Sequence, residues 1–479
     1  MTDFYRHSIN SRGAMMKQCL LVIFLLSLSF FSRAEQTGSP ATPNLAIIGG
    51  QLIDGYGGRP MRNAAVLVAG DRIIKVGRLS ELSIPPGIKT LDVNGMTIMP
   101  GLWESHGHLF HAGEGDPADF PRRFAEQADS IMASVAKISL FSGITSFRDT
   151  GGPIEKQLVL KAEIEAGERS GPRLFLAGPI LRQRSPEAAV RKSKYTAASP
   201  KEAKRLTEKV LAMGVDQIKV YGFWDLEILQ AITDTAHEAG IGVDADVRHI
   251  TAFRTAIEAG VDRLHHVFTA DALSDYSDDD IRLLVRGLKP GASGPMANIL
   301  RGPYILPTIE MRNAYVRAFK FREILDHPRI KQQYPKEVYE SLREHWTYPE
   351  SVPWGLGAPE RIKVAKRKLK HFIQAGGREQ LVAGTDAGAP FNLHSPLTKE
   401  VANLLEAGLS PMEAIQSATL RPAQMQGVEQ DLGTVSTGKY ADIIIVDGDP
   451  LQDISLLQHK VVLVIKNGEI YTPDNSVRF

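Results

Sequence analysis

From residue 44 onward the chain alternates short apolar runs with turn residues. LAIIGGQLID starts at Leu45, AAVLVAGDRIIKVG at Ala64 and KTLDVNGMTIMP at Lys89. Gly49-Gly50, Gly70-Asp71 and Asn94-Gly95 punctuate these runs, so residues 44–98 read as a small β unit. A matching pattern returns at the other end in DLGTVSTGKYADIIIVDGDP and HKVVLVIKNGEIYTP, residues 431–473. The spacing predicts one small β-sandwich built from both termini, residues 44–98 and 431–479, with a large domain, residues 99–430, inserted between them.

The inserted region follows a different rhythm. Strand-like runs (ITSFRD, PRLFLAGPI, DQIKVYG, GIGVDADV, VDRLHHV, YILPTI and QLVAGTDAG) alternate with helical patterns such as SPKEAKRLTEKVLAMG and DLEILQAITDTAHEAG. The second of these helices has Asp225 as N-cap and Gly240 as stop. Strand–helix alternation over this length predicts an α/β fold, a (β/α)8 TIM-like barrel, whose strand C-termini carry the chemistry. Residues 271–375 exceed one β/α unit and predict a helical excursion over the barrel mouth.

Composition changes this picture little. The 479 residues carry a formal charge of +1 and are 43% hydrophobic, an ordinary globular balance with no basic footprint for nucleic acid. No run suggests an integral membrane domain, and a homo-oligomer is compatible with the sequence. The N-terminus differs: Lys17 precedes CLLVIFLLSLSFF, and Ser32-Arg33-Ala34 resembles a cleavage site. Residues 1–34 therefore read as a signal peptide, which implies a periplasmic or secreted protein; the alternative is an uncleaved anchor, for which the run is short. The single cysteine, Cys19, lies inside this segment. A mature chain without thiols must bind any metal through N or O donors.

The candidate chemistry begins in PGLWESHGHLF, residues 100–110. His106 and His108 are two apart at the end of an apolar strand, so both imidazoles face one way and can reach one metal ion. His265 and His266 follow another strand. Alternation puts one of them inside the barrel and leaves the other a structural role. Asp386 follows the apolar run LVAGT, where a carboxylate is costly unless paired or metal-bound; a helix N-cap is its plainer reading. Lys219, on DQIKVYG, reads either as a lysine snorkelling from a strand end or as one carbamylated by carbon dioxide, whose new carboxylate bridges two metals.

Together these segments resemble the amidohydrolase superfamily, within the branch of imidazolonepropionase-like proteins and metal-dependent prolidases. The resemblance rests on PGLWESHGHL, GITSFRDTGG, DQIKVYG, EAGVDRLHHV, VAGTDAG, LTKEVANLLEAGLSPMEAIQSATLRPAQ and LGTVSTGKYADIIIVDGDPLQDI. It implies the same barrel and sandwich. It also implies two divalent ions (zinc, manganese or similar) held by His106, His108, a carbamylated Lys219, His266 and Asp386. The fifth strand departs from the family. Asp246 stands where a metal-binding histidine is usual, and Arg248 where a second histidine stands. Asp246 then serves as an oxygen ligand and tilts the site towards harder ions. His249 is the other candidate, although it has opposite strand parity and lies about 10 Å along the chain if extended. A weakened second metal site is the third alternative.

The expected activity is hydrolysis of amide C–N bonds in a small-molecule substrate, such as a dipeptide or an N-acyl amino acid, by a hydroxide held between the ions. Asp386 is the expected proton carrier. Arg248 is the candidate for a substrate carboxylate, with a surface salt bridge as its plainer reading, and Tyr221, two residues after Lys219, either hydrogen-bonds the tetrahedral intermediate or simply packs. Arg148 and Asp149 read as mainly structural, although the strand end keeps Asp149 near the site; His394 is within reach of a role at the substrate, but a lone loop histidine usually has none. The alternatives are a lactam or lactone hydrolase on the same site, or a catalytically weakened barrel that acts as a binding protein.

Overall fold

The computed structural model describes residues 42–114, 119–184, 193–222, 225–247, 250–269, 275–287, 302–326, 328–347, 357–394 and 397–472. The expected signal segment, Cys19, Arg248 and His249 lie outside the described residues.

The N-terminal strands are β1 (Leu45–Ile48), β2 (Gln51–Leu52), β3 (Ala64–Ala69), β4 (Arg72–Arg78), β5 (Lys89–Asp92) and β6 (Thr97–Pro100). The central strands follow: β7 (Leu102–Gly107), β8 (Ile144–Asp149), β9 (Arg173–Leu176), β10 (Leu181–Gln183), β11 (Thr196–Ala197), β12 (Ile218–Tyr221), β13 (Val243–Asp246), β14 (Arg263–His265) and β15 (Tyr304–Leu306). The last three are β16 (Ile443–Val446), β17 (Val461–Lys466) and β18 (Glu469–Tyr471).

The chain's two ends meet in one sheet. β16 pairs antiparallel with β6, Ile443 opposite Pro100 and Val446 opposite Thr97, in the order β18-β17-β16-β6-β2. A second sheet, β4-β3-β1-β5, is wholly N-terminal. Inward residues of both sheets share one core, including Ile47, Val66, Val68, Ile98, Ile443, Ile445 and Ile465.

The central strands pair in parallel, as β7-β8-β9 and as β11-β10-β12-β13-β14-β15. Helices alternate with them for the reason the sequence indicated. Asp225 caps the helix Leu226–Glu238 by accepting from the backbone N–H groups of Glu227 and Ile228, which satisfies two donors that have no partner inside the helix. Gly240, with φ +71, turns the chain out of it. Alternation along β12 buries Ile218 and Val220 in the apolar core and directs Lys219 and Tyr221 to the other face.

The run QLVAGTDAG does not form the regular strand its apolarity suggests. Its ends bridge two neighbours in parallel, Leu381 with Ile305 of β15 and Ala387 with Gly107 of β7. Asp386 between them has φ +59, a left-handed conformation that breaks a ladder. The segment also passes very close to β7: a Cβ on Gly384 would lie 2.9 Å from the His106 backbone nitrogen.

The excursion after β15 is helical, with Ile309–Lys320, Pro328–Gln333, Lys336–Thr347 and Ala358–Gln374. It packs on the loop that follows β7. The Trp346 indole N–H donates to the Gly113 carbonyl at 3.1 Å, and its ring lies 5.7 Å from that of Phe391. Among the described residues no helix is long and apolar enough to cross a membrane.

Candidate metal centre

β7 delivers the first two imidazoles. His106 is 1% exposed, and its Nε2 lies 3.4 Å from Asp386 Oδ1. His108, just past the strand end, has Nε2 at 3.1 Å from the same oxygen. Glu104 sits on the same face two residues earlier. Its carboxyl accepts from the backbone N–H groups of His106 (3.0 Å) and Thr385 (2.9 Å) and from the Thr385 hydroxyl (2.7 Å), and so ties β7 to the segment that carries Asp386. Burial pushes that carboxyl up to about 7.

β12 and β13 bring Lys219 and Asp246 together. Lys219 Nζ is 2.6 Å from Asp246 Oδ1, and the lysine is 1% exposed. Burial alone would raise the Asp246 pKa, but the Lys219 ammonium and His266 hold it well below the usual carboxylate range. Asp246 Oδ1 is also 3.3 Å from His266 Nε2, which lies 3.9 Å from Asp386 Oδ2. The six residues expected to bind metal (His106, His108, Lys219, Asp246, His266 and Asp386) therefore converge. Tyr221 shares the face of Lys219 two residues nearer the mouth.

The histidine pair departs from expectation, because both members enter the site. β14 ends at His265, which points inward, and His266 has φ +65. Reversal of the backbone at His266 cancels the alternation that should have sent the two rings apart. His265 Nδ1 lies 2.6 Å from His106 Nδ1, and its Nε2 lies 3.5 Å from Asp244 Oδ2. The Asp244 carboxylate favours the proton on His265 Nε2. His265 Nδ1 then accepts from His106 Nδ1–H, and His106 Nε2 is left with a lone pair facing Asp386.

A second tautomer is assigned by Thr308. Its hydroxyl donates to the Pro307 carbonyl at 2.7 Å, so it accepts from His266 Nδ1–H at 2.7 Å. His266 Nε2 is thereby a lone pair, aimed at Asp246 and Asp386. Beneath these rings Asp244 is fully buried between Arg148 Nη2 (2.8 Å) and Arg263 Nη1 (3.1 Å). Arg148 is structural, as read from the sequence, and so is Asp149, which accepts from the backbone N–H groups of Leu109 and Gly151. His394 Nε2 donates to the His111 carbonyl at 2.8 Å.

This donor set fits a divalent cation. The Nε2 atoms of His106, His108 and His266 converge on the carboxylates of Asp386 and Asp246, a nitrogen-and-oxygen donor set of the kind a divalent ion takes. Lys219 Nζ and Asp246 Oδ1 lack a well-directed hydrogen bond despite their short separation. Among the described residues two triples have donor atoms within 4.8 Å of one another: His106, His108 and Asp386, and His106, Asp246 and His265. Sequence reasoning missed the inward place of His265, and it missed Asp244, Thr308 and Glu104. Glu104 had a local signal, its even spacing from His106 on one strand, and Asp244 had the same spacing from Asp246.

Parallel strands that gather imidazoles and carboxylates at their C-terminal ends define a TIM-like α/β scaffold with a candidate metal centre. The Amidohydrolase family model matches residues 97–471, and the chain belongs to that family. Imidazolonepropionase of Streptomyces coelicolor is 25% identical over 396 residues, 81% of this chain and 86% of that protein. An adenine deaminase of Rubrobacter xylanophilus is 29% identical over 135 residues, 26% of this chain, and the match spans only 21% of that protein's length. The solved structure of a putative prolidase from Bifidobacterium longum has the same fold, with a TM-score of 0.68 at 24% identity over 90% of this chain and 95% of that one.

Proposed function

We propose that this chain is a metal-dependent hydrolase of amide C–N bonds in small molecules such as dipeptides or N-acyl amino acids. The observation that carries the reading is the convergence of the His106, His108 and His266 Nε2 atoms on the Asp386 carboxylate. The reading takes the central strands as a closed barrel, supported by the bridges of Leu381 and Ala387 to β15 and β7. It takes the two terminal sheets as a sandwich, supported by their shared core. Lys219 is the residue to be carbamylated in a two-ion form, with Asp246 as oxygen ligand.

His106, His108 and Asp386 would hold one ion, and Lys219, Asp246 and His266 a second. A bound divalent ion polarises a carbonyl and lowers the pKa of water from 15.7 to about 7. The chain's own residues do the rest. Burial opposes ionisation of Asp386, but His108 and His266 keep its pKa below the usual value, so it is a carboxylate ready to take a proton. Asn392 anchors it by donating to the carbonyls of Thr385 and Asp386 at 2.8 and 2.9 Å. Asp386 takes the proton of the attacking water at a carboxylate oxygen and returns it to the leaving amine nitrogen. Tyr221, on the same face as Lys219, would donate its phenolic O–H to the reacting carbonyl. The helical excursion, packed on the β7 loop through Trp346, would limit water at the site.

The pairing of Asp246 with Lys219 favours one second reading, a barrel that binds its ligand without turnover. Loading the protein with manganese, zinc or cobalt in bicarbonate, then screening dipeptides, N-acyl amino acids and lactones, separates the two. Two ions per chain by mass spectrometry together with amide hydrolysis supports the hydrolase, and no retained metal refutes it. Export to the periplasm or medium after loss of residues 1–34 belongs to the same proposal, and N-terminal sequencing of the mature protein checks it.

A further inference from the structure

We propose that Glu400 is a positioning residue of the metal centre: it caps the helix that follows β15 and thereby leaves the Thr308 hydroxyl free to orient His266. The inference rests on the metal-dependent reading and adds to it the residue that fixes one of its imidazoles. Thr308 stands at the N-cap of the helix Ile309–Lys320, with φ +52 and ψ 40. A threonine in that place ordinarily turns its side-chain oxygen back to accept from a free N–H of the first helical turn. Thr308 makes no such bond. Its hydroxyl is committed instead to the Pro307 carbonyl and to His266 Nδ1, each at 2.7 Å.

Glu400 supplies the missing cap from another helix, Leu397–Ala407, where it is 0% exposed. Its two carboxyl oxygens each accept one backbone N–H, from Ile309 at 3.1 Å and from Glu310 at 2.7 Å. Asn313 pins the two helices together by donating from Nδ2 to Asn403 Oδ1 at 3.1 Å. A non-glycine residue holds a left-handed conformation only where its surroundings compensate, and Glu400 fixes the two residues that follow Thr308. Buried N–H groups without an acceptor are costly. Loss of Glu400 would therefore draw the Thr308 oxygen towards the helix and away from His266. The same short segment grips the His266 backbone, whose N–H donates to the Leu306 carbonyl at 3.1 Å. The relay thus runs from Glu400 through Thr308 to a ring whose Nε2 lies 3.3 Å from Asp246 Oδ1. An anchor lost at one end arrives at the metal centre as a turned imidazole.

The test compares the full chain as wild type, Glu400→Met, Thr308→Val and the double variant. Methionine keeps the length of the side chain and removes both acceptors. Zinc affinity is read by chelator competition. The His266 tautomer is read by nitrogen NMR of the metal-free, histidine-labelled protein, assigned with His266→Gln, at about pH 8.5, above the ordinary histidine pKa of about 6.5. Glu400→Met should weaken zinc about 10-fold, the low end of what loss of an orienting partner costs, and should turn the His266 Nδ1–H form into a mixture. In the Thr308→Val background the same change should alter affinity by less than about 2-fold, because the route is already cut. Equal losses in both backgrounds, or an undisturbed Nδ1–H tautomer in Glu400→Met, would overturn the assignment. Should Glu400→Met fail to fold, Glu400→Gln keeps one acceptor and should show a smaller shift of the same sign. Failure of the wild type to hold zinc would refute the metal-dependent reading alone, because the tautomer still reports on Glu400.

Discussion

Replacing Asp244 by Asn tests the idea that a buried ionic cluster holds the barrel floor together. Asp244 is 0% exposed and faces Arg148 (0% exposed) and Arg263 (3% exposed) at 2.8 and 3.1 Å. Asparagine keeps the shape but removes the charge, which leaves two guanidinium groups in a dry interior. Removing one partner of a buried ion pair costs about 3–5 kcal/mol, and here a single carboxylate serves two cations. With a urea m-value of about 3 kcal/mol/M for a chain this large, the unfolding midpoint should fall by about 1–1.7 M. Circular dichroism and tryptophan fluorescence should report the same transition. The variant should also retain less metal, because Asp244 orients His265 and His265 orients His106. A midpoint within about 0.3 M of wild type, well short of the predicted shift, would refute the account.

Thr308→Val removes the acceptor that sets the His266 tautomer. It should weaken metal binding about 10- to 100-fold in a chelator competition, whereas Thr308→Ser should restore it; unchanged affinity would rule out the orienting role. His237 Nε2 lies 2.8 Å from Asp262 Oδ2. Burial opposes its charge, but that carboxylate outweighs burial and raises the His237 pKa. The stabilising contribution is therefore complete below the unfolded pKa of about 6.5 and is lost as pH rises through the folded value. His237→Gln should lower the thermal midpoint at about pH 6 and approach wild type at about pH 8.5; a gap that widens with pH would contradict the pairing.

Much of this protein was legible in local pattern. Strand periodicity marked His106 and His108 as sharing a face. Apolar runs with turn residues located the strands, and Asp225 announced its helix. The departure of the fifth strand from its family singled out Asp246 as an expected ligand, and the structure brings it to Lys219 and His266. Each of these depends on neighbours along the chain, which is the range over which alternation and capping act.

The rest depended on contacts between distant segments. His265 enters the site because His266 adopts a left-handed conformation, and Asp386 and Thr308 do the same. Non-glycine residues avoid that region unless surrounding structure compensates, so no local pattern announces it. The links from Asp244 to Arg148 and from Thr308 to His266 likewise join strands and loops that only tertiary packing brings within reach. The sequence by itself determined which residues could hold a cation. The tertiary structure decided which lone pairs face it, because ring orientation follows from hydrogen bonds made between strands and not from position along the chain.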